Sequence, residues 1–191
     1  MASRFRNQPQ LTLGLIALNV VIWLGQQLPG LGVTQALWFA PVYWPIEPWR
    51  MLTSGFAHDP SNVLHLLMNM YSLWVLGSVL EPMLGKARFL TIYLASILGG
   101  SVFVLFLGQP NDVTVGASGG VFGLMAAYFV FMRAIGVNSQ GIIVVIGINL
   151  IFTFMSPGIS WQGHIGGLLI GGAVAASFLS AHRKRQRQRE L

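Results

Sequence analysis

Apolar residues run along the chain in long blocks, and polar residues gather in the breaks between them. Four blocks, Leu11–Leu28, Val63–Leu80, Phe89–Leu107 and Trp161–Ala181, reach the length of about 18 residues or more that reads as a membrane span. Two shorter blocks, Ser118–Met132 and Gly141–Met155, lie between the third and the fourth. The pattern predicts an all-α membrane protein, a bundle of six transmembrane helices with a membrane-embedded first outer loop. Six spans use up nearly the whole chain. Residues 1–191 therefore read as one membrane domain, with 1–10 and 182–191 as tails and no soluble partner domain.

Composition sharpens this picture. The chain is 54% hydrophobic and 8% charged. It has no cysteine, which excludes disulfides, thiolate metal sites and a cysteine nucleophile. Arg4 and Arg6 precede the first apolar block, but that block is long and has no small-residue cleavage site; it is expected to be a retained helix, not a cleaved signal. With six spans both termini share a side. Ten of the eleven basic residues then fall on that side, and only Arg50 lies opposite. The positive-inside rule makes the shared side cytoplasmic. The net charge of +6 is thus a topology signal, and the cluster Arg183–Arg189 suits anionic headgroups of the lipid bilayer, not nucleic acid.

The segment Pro29–Asn62 carries Trp38, Tyr43, Trp44 and Trp49, the aromatics that favour a membrane interface. Trp49-Arg50 near its end fits either interfacial anchoring with a snorkelling arginine or a structured loop. The fourth span is short. From Ser118 to Met132 is 15 residues, or about 22 Å of helix against a hydrocarbon core of about 30 Å. Arg133 marks the inner boundary, so the helix begins below the outer surface and the connection Gly108–Ala117 must dip to meet it. Irregular backbone at such depth is tolerated only where protein or a watery cavity surrounds it. The expectation is a water-accessible pocket, open to the outside, with Ser118 at its floor.

Polar groups within spans are costly and point to function. Ser118 stands in Gly116-Ala117-Ser118-Gly119-Gly120, and His164 in Gly163-His164-Ile165-Gly166-Gly167. Gly119 and Gly123 on one helix, with Gly163, Gly167 and Gly171 on the other, form small-xxx-small faces that let helices approach closely. A serine at a helix start fits two roles: a capping hydroxyl, or a nucleophile whose oxyanion meets free backbone N–H groups. His164 fits a general base facing that serine. His65 and Asn69, at i and i+4 on the second span, fit either an oxyanion hole or interhelical hydrogen bonding. His58, in the loop before them, reads as solvated and without a role.

Trp49-Arg50, His65-x-x-x-Asn69, Glu81-x-x-x-Gly85, Gly116-x-Ser118-Gly119 and Gly163-His164, in this order over six spans, resemble a rhomboid intramembrane serine protease in its minimal bacterial form. The resemblance covers essentially the whole chain. It implies a catalytic dyad of Ser118 and His164 without a carboxylate, and an oxyanion hole of His65, Asn69 and the Ser118 N–H. Trp49 and Arg50 would belong to the embedded first loop, Glu81 and Gly85 would be structural, and Gly116, Gly119, Gly163 and Gly167 would support the site. Phe122 stands where many members carry a tyrosine against the histidine. The resemblance further implies transmembrane protein substrates, no cofactor, and a multi-pass protein of the cell inner (plasma) membrane with both termini cytoplasmic.

Other classes fit less well. A membrane metalloprotease needs a cluster such as His-Glu-x-x-His, and an aspartyl intramembrane protease needs two carboxylates within spans; the sequence has neither. A transporter would show internal repeats or charges along a path, whereas the polar residues here gather near one face. A non-catalytic rhomboid relative that binds transmembrane clients is the remaining alternative. Such relatives typically lack the serine or the histidine, and both are present.

Overall fold

The computed structural model describes residues 9–188. Its long helices are α1 (Gln10–Gln26), α4 (Val63–Leu84), α5 (Lys86–Leu107), α6 (Ser118–Ala134), α7 (Gln140–Met155) and α8 (Trp161–Arg187). Between α1 and α4 the chain forms two short helices, α2 (Val33–Leu37) and α3 (Arg50–Thr53), and two 3-10 turns. Among the described residues there is no strand, only one isolated bridge between Phe39 and Thr114. The fold is thus an all-helical membrane bundle. By length and composition α4, α5 and α8 suffice to cross a membrane, and α1, α6 and α7 are shorter apolar helices. Of the predicted tails, residues 1–8 (with Arg4 and Arg6) and 189–191 lie outside the described residues. Residues 182–187 continue α8, as good helix formers such as Arg, Lys and Gln allow.

The first helix closes at Gln26, two residues short of the apolar block. Leu28 precedes Pro29, and a residue before proline is pushed out of the helical region. At its other end α1 starts after Pro9, with no side-chain cap from its own sequence. A carboxylate 70 residues away supplies it. Glu81, buried near the end of α4, accepts from the backbone N–H of Leu11 at 2.9 Å, from that of Thr12 at 2.7 Å, and from the Thr12 hydroxyl at 2.7 Å. A carboxylate there also complements the helix dipole. Glu81→Ala should strip three donors at once and lower stability by about 3 kcal/mol, read as the thermal midpoint of detergent-solubilised protein. An unchanged midpoint would show that water replaces the carboxylate without cost. Gly85, at φ +80°, then turns the chain from α4 into α5, a conformation that favours glycine.

The densest packing joins α5, α6 and α8. Its cause is glycine. A Cβ on Gly167 would overlap the Gly119 carbonyl, one on Gly171 would overlap the Gly123 backbone, and one on Gly166 would lie 2.6 Å from the Gly99 oxygen. Main chain therefore meets main chain along these helices. Around this seam Tyr93, Phe89, Ile92, Leu73, Leu80 and Leu124 are fully buried. By contrast α7 packs sparingly on α6 and α8, and Thr153 is its one buried residue.

The loop between α1 and α4 is ordered by Arg50. Its guanidinium donates to the Gln35 and Trp38 carbonyls and to the Glu47 carboxylate, and lies 4.8 Å from the Tyr43 ring centre. Arg50 is 9% exposed, so it does not snorkel toward solvent; it is the hub of a structured loop. Trp49 beside it is 57% exposed and suits an interfacial position. The loop is joined to the α5–α6 connection by paired bonds between Phe39 and Thr114 (3.1 and 2.7 Å) and by the Gly116 N–H on the Ser54 carbonyl (3.0 Å). Those bonds hold the irregular backbone that leads into α6.

Candidate active site

Two helix starts make the site. Ala117 occupies the N-cap position of α6, and Ser118 is the first helical residue. Its hydroxyl is therefore not the cap, which removes the capping role from the two that the sequence leaves open. In α8 the Ser160 side chain caps the helix by accepting from the Gly163 N–H at 3.2 Å, and this puts His164 in the first turn. The Ser118 Oγ and the His164 Nε2 stand 2.8 Å apart. Gly119 lies against the Gly163 carbonyl, where a Cβ would come to 3.4 Å, and the Gly167–Gly119 contact closes the same seam one turn further.

The imidazole is held on three sides. Phe122, one turn after Ser118, stacks on it with ring centres 4.3 Å apart and planes 18° from parallel. Phenylalanine thus provides the stacking wall without a hydroxyl. The Nδ1 atom lies 2.7 Å from the Thr153 Oγ1 on α7. Sequence reasoning does not reach Thr153. The signal that could have found it is the rule applied to Ser118, a polar residue in an apolar span, but a helical threonine that bonds its own i−4 carbonyl is unremarkable.

His65 faces the serine from α4. Its Nδ1 accepts from the Asp59 backbone N–H at 3.4 Å, so the neutral ring carries its proton on Nε2. That Nε2 faces Gly116: a Cβ there would lie 2.8 Å from the His65 Nε2 and 3.6 Å from the Ser118 Oγ. Gly116 also has φ +125°, so glycine is needed there both for conformation and for space. Asn69, one turn along α4, is buried and donates from Nδ2 to the His65 carbonyl at 2.9 Å. No hydrogen bond joins Asn69 to Ser118 among the described residues. Trp49 and Arg50 belong to the first loop and make no hydrogen bond to the serine–histidine pair.

His58 departs from expectation. It is fully buried, not solvated, with its ring 5.1 Å from that of His65. Among the described residues neither ring nitrogen has a hydrogen-bond partner. Burial pushes its pKa down to about 3 and the neighbouring His65 adds to the shift, while the Phe56 carbonyl, outside hydrogen-bond geometry, opposes it. A pKa lowered on folding means that the unfolded chain binds the proton more readily. The contribution is therefore intact above pH 6.5 and is lost as pH falls from 6.5 toward 3. Between pH 6.5 and 5 the expected loss is about 2 kcal/mol. Thermal midpoints over that range should fall more steeply for wild type than for His58→Leu. Parallel slopes would refute the assignment.

The fold and site define a polytopic helical membrane protein with a serine–histidine pair at the starts of two glycine-packed helices. The comparisons with known proteins carry this further. The rhomboid domain family matches residues 45–181, and the chain belongs to the rhomboid family. Rhomboid protease GluP of Bacillus subtilis is 43% identical over 141 residues, 70% of this chain but 26% of that protein's length. YdcA of the same organism, also named for the rhomboid proteases, is 32% identical over 193 residues, covering 91% of this chain and 89% of its own length. RHOMBOID-like protein 6, mitochondrial, of Arabidopsis thaliana is 35% identical over 133 residues, 65% of this chain and 42% of that protein. The chain thus spans about a quarter of GluP and most of YdcA.

Proposed function

We propose that this rhomboid protein is an intramembrane serine endopeptidase that cleaves transmembrane segments of other membrane proteins near the outer face of the plasma membrane. The observation that carries the reading is the 2.8 Å contact between the Ser118 Oγ and the His164 Nε2. In this reading His164 takes the hydroxyl proton as Ser118 attacks a peptide carbonyl, and an acyl-enzyme forms. The oxyanion is met by the His65 Nε2–H, the backbone N–H of Ser118 and the Asn69 amide. The first N–H groups of α6 have no partner within the helix and are free for this use. His164 returns its proton to the leaving amine, and water entering from the outer face releases the acid. A peptide carbonyl inside a helix is shielded, so substrates should carry helix-weakening Gly, Pro or polar residues near the cut. Both termini are cytoplasmic in this orientation, and no cofactor takes part.

Fluorophosphonate labelling of detergent-solubilised protein, with the labelled peptide read by mass spectrometry, tests the reading. Label on Ser118 that disappears in Ser118→Ala and His164→Ala is the expected result. No label on folded wild type, beside an active rhomboid protease that labels in parallel, would shift the assignment to a non-catalytic binder of transmembrane clients.

A further inference from the structure

We propose that Thr153 is a positioning residue that selects the tautomer of His164, so that a docked α7 favours the competent form of the base. The inference rests on the dyad reading above. It follows from counting protons. A threonine hydroxyl has one hydrogen to give. The Thr153 Oγ1 lies 2.7 Å from the Asn149 carbonyl, which can only accept, so the hydroxyl hydrogen points there. Toward the His164 Nδ1, also at 2.7 Å, the oxygen must therefore accept. Nδ1 carries the ring proton, and Nε2 turns a lone pair to the Ser118 hydroxyl. The other tautomer would aim an N–H at the serine and leave nothing to take its proton.

Among the described residues nothing else at the ring makes this choice. Phe122 stacks on its face and fixes the plane, but a stacked ring keeps its plane when turned over or when its proton moves. The serine hydroxyl can donate or accept and so accommodates either tautomer. Only Thr153, with its hydrogen committed to Asn149, distinguishes the two. The placement is specific as well. Thr153 is the one buried residue of α7, whose Ile142 and Ile146 pack half-buried on the core, so the most enclosed contact of this helix is a hydroxyl on the base. When α7 moves off, the selector leaves with it.

The test compares Thr153→Val, which keeps the shape and removes the hydroxyl, with Thr153→Ser, which keeps the hydroxyl. Both would be reconstituted in proteoliposomes with a reporter carrying a transmembrane helix, and measured beside wild type, Ser118→Ala and His164→Ala. Thr153→Val should lower kcat about tenfold with KM unchanged, and Thr153→Ser should restore it to within about twofold. Nitrogen NMR of histidine-labelled protein, with the His164 signal assigned by its loss in His164→Ala, should show Nδ1 protonated in wild type and Thr153→Ser and a mixture of tautomers in Thr153→Val. Wild-type kcat in Thr153→Val, or a His164 tautomer unchanged by the valine, would overturn the proposal. Equal impairment by serine and valine would reduce Thr153 to packing. Activity surviving in Ser118→Ala or His164→Ala would instead refute the dyad itself, and the NMR result would still decide the tautomer.

Discussion

Ser118→Ala is expected to lower cleavage of a transmembrane reporter by about a millionfold, with His164→Ala close behind and the double variant no worse than either. On the proposed reading the two residues act as one unit, and this sets the size of the effect. Once either is gone, the other has nothing to activate or to be activated by, so the losses do not add. Among the described residues no carboxylate hydrogen-bonds His164. Glu81, the carboxylate within α4, is committed to the start of α1 through three hydrogen bonds. What survives should be the modest acceleration due to binding and the oxyanion donors. Cleavage in proteoliposomes with enzyme in excess over reporter measures this directly. Residual activity within a hundredfold of wild type in Ser118→Ala would remove Ser118 as the nucleophile.

The second large effect is expected from one methyl group placed away from the reacting atoms. Gly167→Ala would drive a Cβ into the Gly119 carbonyl, which is backbone and cannot swing aside. The helices must separate, and the residues they carry must separate with them. Overpacking of this kind costs about 1–3 kcal/mol, which a bundle survives. On the proposed reading, a serine–histidine pair moved by about an ångström no longer works at its former rate, and a loss of roughly a hundredfold in kcat is expected while the protein stays folded. Gly172→Ala serves as the control: its Cβ would meet only the Ala126 methyl, at 3.4 Å, and activity should stay near wild type. The two are told apart by activity measured beside the thermal midpoint. Gly167→Ala with full activity would mean that the seam does not set the spacing of the pair.

The helices were legible because lipid outside and packed interior both demand apolar residues, so a membrane helix declares itself on every face. Ser118 and His164 stood out for the converse reason, as polar groups where such groups are costly, with glycine spacing that brings their helices together. What stayed hidden depended on contacts far apart in sequence. Whether Arg50 would snorkel or be buried was decided by the Gln35 and Trp38 carbonyls, whose positions exist only once the loop has folded. His58 sits in Ala57-His58-Asp59-Pro60-Ser61, a stretch that reads as solvated, and it is enclosed by the same folding. Leu28 belonged to an apolar run, but Pro29 ended the helix before it. Thr153 was concealed by local chemistry, since its bond to Asn149 is what any helical threonine forms, and only the approach of α8 gives that oxygen a second partner.

The glycine contacts between α6 and α8 also bear on how the site responds to heat. Side chains in a core hop between rotamers long before the chain unfolds, and a spacing transmitted through side chains blurs as they do. From Gly119 to Gly163 and Gly167 the path is main chain on main chain, with no rotamer in it. Warming the protein therefore leaves the distance between the two helix starts unblurred up to the point where the helices themselves part.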